Sequence, residues 1–197
     1  GPGLPFGVAA PTQVSGVSGI TAIAAGAGFS LALKDDGTVW SWGTNQSGQL
    51  GDGTNVSRDI PAQILGLSGV TAVAAGGAHG MALKSDGTIW TWGSNQYWEL
   101  GTGAVSERWV PGQVTGITGL VAVAAGSNHS LALKPDGTVW TWGQNSLGQL
   151  GNGHMVLRSL PGQVPGLAGV ARIAGGQYHS LAIRIDGKFW AWGHNNK

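Results

Sequence analysis

Apolar and polar positions recur along this chain with a period of 50 residues. In the second unit the run Val70 to Ala75 (VTAVAA) is β-rich but small, with alanine at three of six positions, which suits a strand packed at a crowded axis. After Gly76 a short turn leads into Gly80-Met81-Ala82-Leu83-Lys84. Ser85-Asp86-Gly87 then predicts a tight hairpin, because an Asp-Gly pair between apolar runs supplies turn positions that want positive φ. Thr88 to Gly93 alternates with period two and sets Trp90 and Trp92 on one face, Ile89 and Thr91 on the other. A polar, glycine-rich loop follows from Ser94 to about Val105, and Pro111-Gly112-Gln113-Val114 predicts a fourth strand, proline being tolerated at an edge. No segment keeps a 3.6 period, so helix content should be negligible.

The same pattern starts at Thr21, Thr71, Val121 and Ala171 without insertion or deletion. The chain therefore reads as one repeat domain, 1–197, of four units near 1–50, 51–100, 101–150 and 151–197, with no separate linker. Four short strands per unit, joined by tight hairpins, is the pattern of a β-propeller blade. A β-sandwich is the alternative all-β architecture, but a fixed 50-residue period favours the propeller.

Composition narrows the function classes. Charged residues make up 10% of the chain and the net charge is +1, which supplies no basic surface for nucleic acid. There is no cysteine, hence no disulfide framework or thiolate metal site. No apolar run is long enough to span a membrane and the first residues do not read as a signal peptide; location is otherwise open. The 37 glycines are spread periodically, as a turn-rich repeat requires.

The segments Gly126 to Gly143, Asn145 to Gly153 and Arg158 to Pro161 carry AAGxxHSLALKxDGTVWxWG, NxxGQLGxG and RxxP in fixed mutual spacing. Together they resemble the repeat of the regulator-of-chromosome-condensation (RCC1) family, and the resemblance extends over essentially the whole chain. It implies a propeller, seven-bladed in typical members, acting as a protein-binding platform. Family roles include nucleotide exchange on a small GTPase with chromatin attachment, ultraviolet sensing and β-lactamase inhibition. The light-sensing members place tryptophan after the glycine of the second-strand motif. Here those slots hold Ala27-Gly28-Phe29, Gly77-Ala78-His79, Ser127-Asn128-His129 and Gln177-Tyr178-His179, which speaks against a light sensor. The inserted wedge of the exchange factors has no counterpart in the gapless repeat.

Repeated residues read as scaffold. The pairs Trp40/Trp42, Trp90/Trp92, Trp140/Trp142 and Trp190/Trp192 suit blade-to-blade packing. His79, His129 and His179, with Phe29 in the first slot, read as buried imidazoles bonded to neighbouring backbone rather than as metal ligands. Asp36, Asp86, Asp136 and Asp186 are turn formers, and Arg58, Arg108 and Arg158 are expected to bond loop carbonyls. Positions that differ between units are better candidates for function. Tyr97-Trp98-Glu99 replaces Ser47-Gly48-Gln49, and Trp109 stands beside Glu107 and Arg108 where other units have Ala9, Asp59 and Ser159. An exposed Tyr/Trp/Arg group has the composition of a protein-binding hot spot; the competing reading is local packing of Trp98 on Trp109. His154-Met155 and Leu157 form a second, weaker group.

No nucleophile elbow, P-loop, dinucleotide fingerprint or zinc-protease motif occurs. The expectation is a non-enzymatic protein-interaction scaffold without catalytic residues, metal or cofactor, whose partners are itself and another protein rather than nucleic acid or membrane. The alternatives are guanine-nucleotide exchange, and an engineered or recently amplified repeat, or a fragment, whose only property is propeller assembly. Four blades in an open arc would expose two apolar end faces. Blades shaped for a seven-membered ring are strained less by eight than by four. A homodimeric ring of four plus four blades is therefore expected.

Overall fold

The structure is a computed structural model and describes residues 10–195. Its elements are all strands, in four antiparallel meanders that succeed one another along the chain. The first blade contains β1 (Ile20–Ala25), β2 (Phe29–Lys34), β3 (Val39–Gly43) and β4 (Arg58–Gln63); the second contains β5 (Val70–Ala75), β6 (His79–Lys84), β7 (Ile89–Gly93) and β8 (Arg108–Gln113). The third contains β9 (Ala122–Ala125), β10 (His129–Leu133), β11 (Val139–Gly143) and β12 (Arg158–Gln163). The fourth has three strands, β13 (Val170–Gly175), β14 (His179–Arg184) and β15 (Phe189–Gly193). The outermost strand of the first three blades begins at arginine, three residues ahead of the expected proline-led start, and the proline falls within the register shift, where no paired residue needs its missing backbone donor. Among the described residues no helix is long and apolar enough to cross a membrane.

The Asp-Gly hairpins form, with a different geometry from that expected. Gly87 N–H bonds Lys84 O (2.9 Å) and Lys84 N–H bonds Thr88 O (2.9 Å), a three-residue turn with left-handed backbone at Gly87 (φ 76) and not at Asp86. The Asp86 carboxylate instead accepts from the Thr88 amide (2.9 Å) and hydroxyl (2.6 Å). This side-chain clasp shapes the turn without positive φ at the aspartate.

The innermost strands β1, β5, β9 and β13 are neighbours around the axis. The turns after them are tied by a backbone ladder: Ala27 N–H to Gly77 O (3.2 Å), Gly77 N–H to Ser127 O (2.8 Å), Ser127 N–H to Gln177 O (3.1 Å). The approach demands glycine beside it, since a Cβ on Gly76 would meet the His79 ring and lie 2.5 Å from Gly126 O.

Three apolar cores fill the gaps between consecutive blades. In the first, Leu31, Leu33 and Val39 meet Ile64, Leu67, Val70 and Trp92 of the next unit. The two tryptophans of a pair have different tasks. Trp92 and Trp142 are fully buried and donate Nε1–H to Gln49 O and Glu99 O of the preceding blade, both at 2.9 Å. Trp40, Trp90 and Trp140 are half-buried, with the ammonium groups of Lys34, Lys84 and Lys134 over their rings at 5.8, 5.1 and 4.7 Å.

Candidate protein-binding surface

The long loop between the third and fourth strands of a blade hangs on one buried asparagine. Asn45 Oδ1 accepts from Leu50 N–H (2.8 Å), while Nδ2 donates to Thr54 O (3.0 Å) and Val56 O (3.2 Å). Asn95 and Asn145 repeat this, accepting from Leu100 N–H (3.0 Å) and Leu150 N–H (2.9 Å). A buried amide that satisfies several loop groups at once lets a polar, glycine-rich segment hold one shape. Sequence reasoning passed over these asparagines; the available signal was their recurrence at the head of every such loop.

On this frame the six candidate residues separate. Glu99 is buried. Its carboxylate accepts from Tyr97 N–H (2.7 Å) and the Ser94 hydroxyl (2.8 Å), as the Gln49 side chain accepts from Ser47 N–H (2.9 Å). Burial pushes its pKa above the ordinary 4.5, against those hydrogen bonds. Glu99 therefore props the loop from inside. Tyr97 and Trp98 are half-buried, and Trp98 has φ 60 where Gly48 and Gly148 have 72 and 78.

Glu107 and Trp109 are exposed, Trp109 to 40%, with Trp109 Nε1–H directed at the Glu107 carboxylate (3.4 Å). Trp109 does not stand alone in solvent: its backbone Cα would be 2.8 Å from a Cβ on Gly48, and its carbonyl accepts from Gly53 N–H (2.8 Å). It is thus fixed against the loop of the first unit. By the same relation Gly103 N–H bonds Ser159 O (2.9 Å), so the loop of Tyr97 and Trp98 meets the strand that carries Ser159. Arg108 is half-buried, lies along Gly112 and donates to Gln113 O (3.4 Å).

Val110 leads from Trp109 into a cleft of about 310 Å³ lined also by Gly51, Asp52, Arg58, Gln63 and Leu65. Arg58 Nη1 and Asp52 Oδ2 form an ion pair there at 2.6 Å, and the guanidinium also reaches Ser41 O (3.2 Å) and the Ser41 hydroxyl (2.8 Å). Although burial opposes it, hydrogen bonds from Thr54 and the Arg58 charge hold Asp52 below the usual carboxylate range. The third and fourth units keep the arginine as Arg108 and Arg158 but have Thr102 and Asn152 at the Asp52 position, so the ion pair belongs to this cleft alone of the three.

The repeated histidines depart from expectation in their partner. His79 and His129 are buried, but Nε2 faces the Ser130 hydroxyl (3.1 Å) and the Ser180 hydroxyl (2.9 Å) of the following blade, not backbone. Burial, with a smaller contribution from the next histidine, lowers them to about 3 and about 4. Among the described residues no group of three His, Asp or Glu side chains gathers as metal ligands.

The family model described as RCC1-like domain matches residues 5–197. Of solved structures, human WBSCR16 is 29% identical with a TM-score of 0.81, over 89% of this chain and 48% of that one. Yeast RCC1 (Prp20), solved bound to Kap60, is 27% identical with a TM-score of 0.81, over 93% of this chain and 46% of that one. The human E3 ubiquitin-protein ligase HERC2 is 48% identical over 46 residues, 22% of this chain and 1% of its own length. The chain thus spans about half of the propellers it superposes on and a small fraction of HERC2.

Proposed function

The chain belongs to the RCC1-like domain family, and we propose on that premise that it is a non-enzymatic protein-interaction scaffold whose contact surface centres on Trp109. The observation that carries this reading is the pairing of a fixed, 40% exposed indole with an adjoining cleft floored by the Arg58–Asp52 ion pair. An aromatic anchor already held in place loses little side-chain entropy on binding, and a neighbouring cleft gives a partner's side chain somewhere to go. Glu107 lies at the rim and favours partners with a basic residue nearby. Tyr97 and Trp98 extend the surface toward Ser159.

The test is capture of proteins from a cell extract by the immobilised chain, compared with Trp109→Ala and Asp52→Asn. Loss of the same captured protein in both variants supports the reading, and retention by both removes it. A nucleotide-exchange role is the second reading, favoured by the superposition on yeast RCC1. Accelerated release of guanine nucleotide from a small GTPase by the chain would replace the scaffold with that activity.

The scaffold is also self-associating: a second copy of the chain is one of its partners. Light scattering on the purified chain tests this, and a monodisperse species at 19.9 kDa would remove it.

A further inference from the structure

The two ends of the arc are halves of the junction that the molecule already makes three times. At each internal junction, positions 33 and 39 of one unit are sealed by positions 64, 67 and 70, which belong to the next. Leu33, Leu83 and Leu133 are no more than 4% exposed, and Val39, Ile89 and Val139 are at 0%. In the fourth blade the equivalent Ile183 is 41% and Phe189 62% exposed. At the other end Val14, Val17 and Ile20 occupy the register of Ile64, Leu67 and Val70, and with Ile23 they line an apolar hollow that no strand among the described residues covers. Ile20 is 36% and Ile23 78% exposed.

The strand count points the same way. Among the described residues the fourth sheet stops at β15, whereas the other three each end with a proline-containing fourth strand. Pro11-Thr12-Gln13 stands 50 residues before Pro61-Ala62-Gln63, yet residues 10–13 form no strand. Among the described residues one blade lacks its fourth strand, and one segment in the register of that strand is unpaired.

The polar groups at the two ends match as well. Junctions two to three and three to four pair His79 with Ser130 and His129 with Ser180, while the first junction has Phe29 opposite Gly80. The exposed His179 and the half-buried Ser30 at the ends of the arc continue the His–Ser pattern, not the Phe–Gly one. The axial ladder likewise ends with Gln177 N–H on one side and Ala27 C=O on the other.

We infer that a second copy of this chain, docked head to tail, completes the fourth blade: its Pro11–Gln13 pairs with β15, its Val14, Val17 and Ile20 cover Ile183 and Phe189, and its Ser30 meets His179. Two such junctions close a ring of eight blades. The four blades cover 46–48% of the chains of the propellers to which they are similar, so an arc of this size leaves further blade positions to be filled. By the internal registers, Gln13 lies opposite Trp190 and Thr12 opposite Ala191, as Gln63 lies opposite Trp40 and Ala62 opposite Ser41. The inference rests on the self-association proposed above and adds its chemistry.

The chain contains no cysteine, so engineered pairs report the junction cleanly. A Cβ on Gly77 would lie 2.9 Å from Ser127 Oγ, within disulfide reach, which makes Ala27→Cys with Gln177→Cys the matching pair across the open ends. On oxidation the double variant is expected to give a covalent species of twice the chain mass, while neither single variant links to itself. Thr12→Cys with Ala191→Cys is expected to do the same and reports the donated strand. Phe189→Glu and Ile23→Glu, at opposite ends, should each give a monomer with its β spectrum intact. A disulfide at monomer mass would overturn the inference in favour of closure within one chain. A dimer in which neither cysteine pair links would leave self-association standing and remove this junction. A dimer that links through 27 and 177 but not through 12 and 191 would overturn the strand donation. A monomer throughout would remove both readings.

Discussion

His79 Nε2 lies 3.1 Å from the hydroxyl of Ser130, one blade and fifty-one positions further along the chain. The serine hydroxyl in turn donates to Glu99 O at 2.8 Å, the same carbonyl that receives Trp142 Nε1–H at 2.9 Å. Imidazole, hydroxyl, carbonyl and indole thus form one buried polar seam inside an apolar junction. Such a seam orients neighbouring blades, because any shift of one against the other leaves a buried donor unpaired.

Within the seam Nε2–H donates to the serine oxygen, and burial rather than that bond keeps the histidines neutral, which sets an acid limit on stability. Burial lowers His79 to about 3 and His129 to about 4, against an ordinary 6.5. The unfolded chain takes up protons near 6.5 that the fold refuses, so this contribution is complete above pH 6.5 and is lost as pH falls toward 4. The loss amounts to about 1.4 kcal/mol per pH unit for each histidine. Urea midpoints between pH 7.5 and 4.5 should fall accordingly. The double variant His79→Phe with Ser130→Gly, which copies the first junction, should show about half the slope. An unchanged slope would mean that these imidazoles do not govern the acid response.

The first junction tests the coupling from the other side. Phe29 stands opposite Gly80, and the Trp92 indole fills the space that a side chain on Gly80 would need. Phe29→His alone gives an imidazole with no hydroxyl to meet, and Gly80→Ser alone crowds Trp92. Each should cost about 1–3 kcal/mol. Together they should cost about 1 kcal/mol less than their sum, since the new pair bonds as His79 does with Ser130. Strict additivity in chemical denaturation would show that the histidine and serine positions are independent.

The strands and hairpins were legible because each depends on local pattern: the period-two runs, the Asp-Gly turns, the glycine spacing. The His–Ser relationship was not legible from any one segment, since its partners lie on different blades and meet only when the blades pack. Its trace is present nonetheless, in serine fifty-one positions after each paired histidine and glycine fifty-one after Phe29. At the candidate surface, the exposure of Trp109 was legible from its difference from its counterparts. The burial of Glu99 was not, because it comes from a loop gathered around Asn95 rather than from hydrophobic neighbours in sequence.

Glu99 is the one carboxylate among three otherwise amide positions, Gln49 and Gln149 being its counterparts. Burial raises its pKa, so the ionised form is disfavoured in the fold and stability declines as pH rises through that value. Glutamine can accept from Tyr97 N–H as the carboxylate does, and its amide can donate to the Ser94 hydroxyl. Glu99→Gln should therefore stabilise the chain at pH 7, with the gain shrinking as pH falls toward 4.5 and absent below it, where the acid is protonated in both states. Calorimetry at pH 7 and pH 4 checks both halves. A loss of stability at pH 7 would show that the charge itself is used.

Trp98 allows folding and recognition to be separated at one position. It is the one non-glycine residue with positive φ among the described residues, at 60, and its counterparts Gly48 and Gly148 show why glycine is usual in this turn. Left-handed backbone costs a side-chain-bearing residue about 1–2 kcal/mol relative to glycine. Trp98→Ala removes the indole but keeps the strain, whereas Trp98→Gly removes both. The glycine variant should therefore be the more stable of the two by about 1 kcal/mol in urea denaturation. If the indole serves a partner, both variants should weaken capture equally despite that difference in stability. If capture instead tracks stability, weak in the alanine variant and intact in the glycine one, the indole has no part in recognition and the binding surface contracts to Trp109 and its cleft.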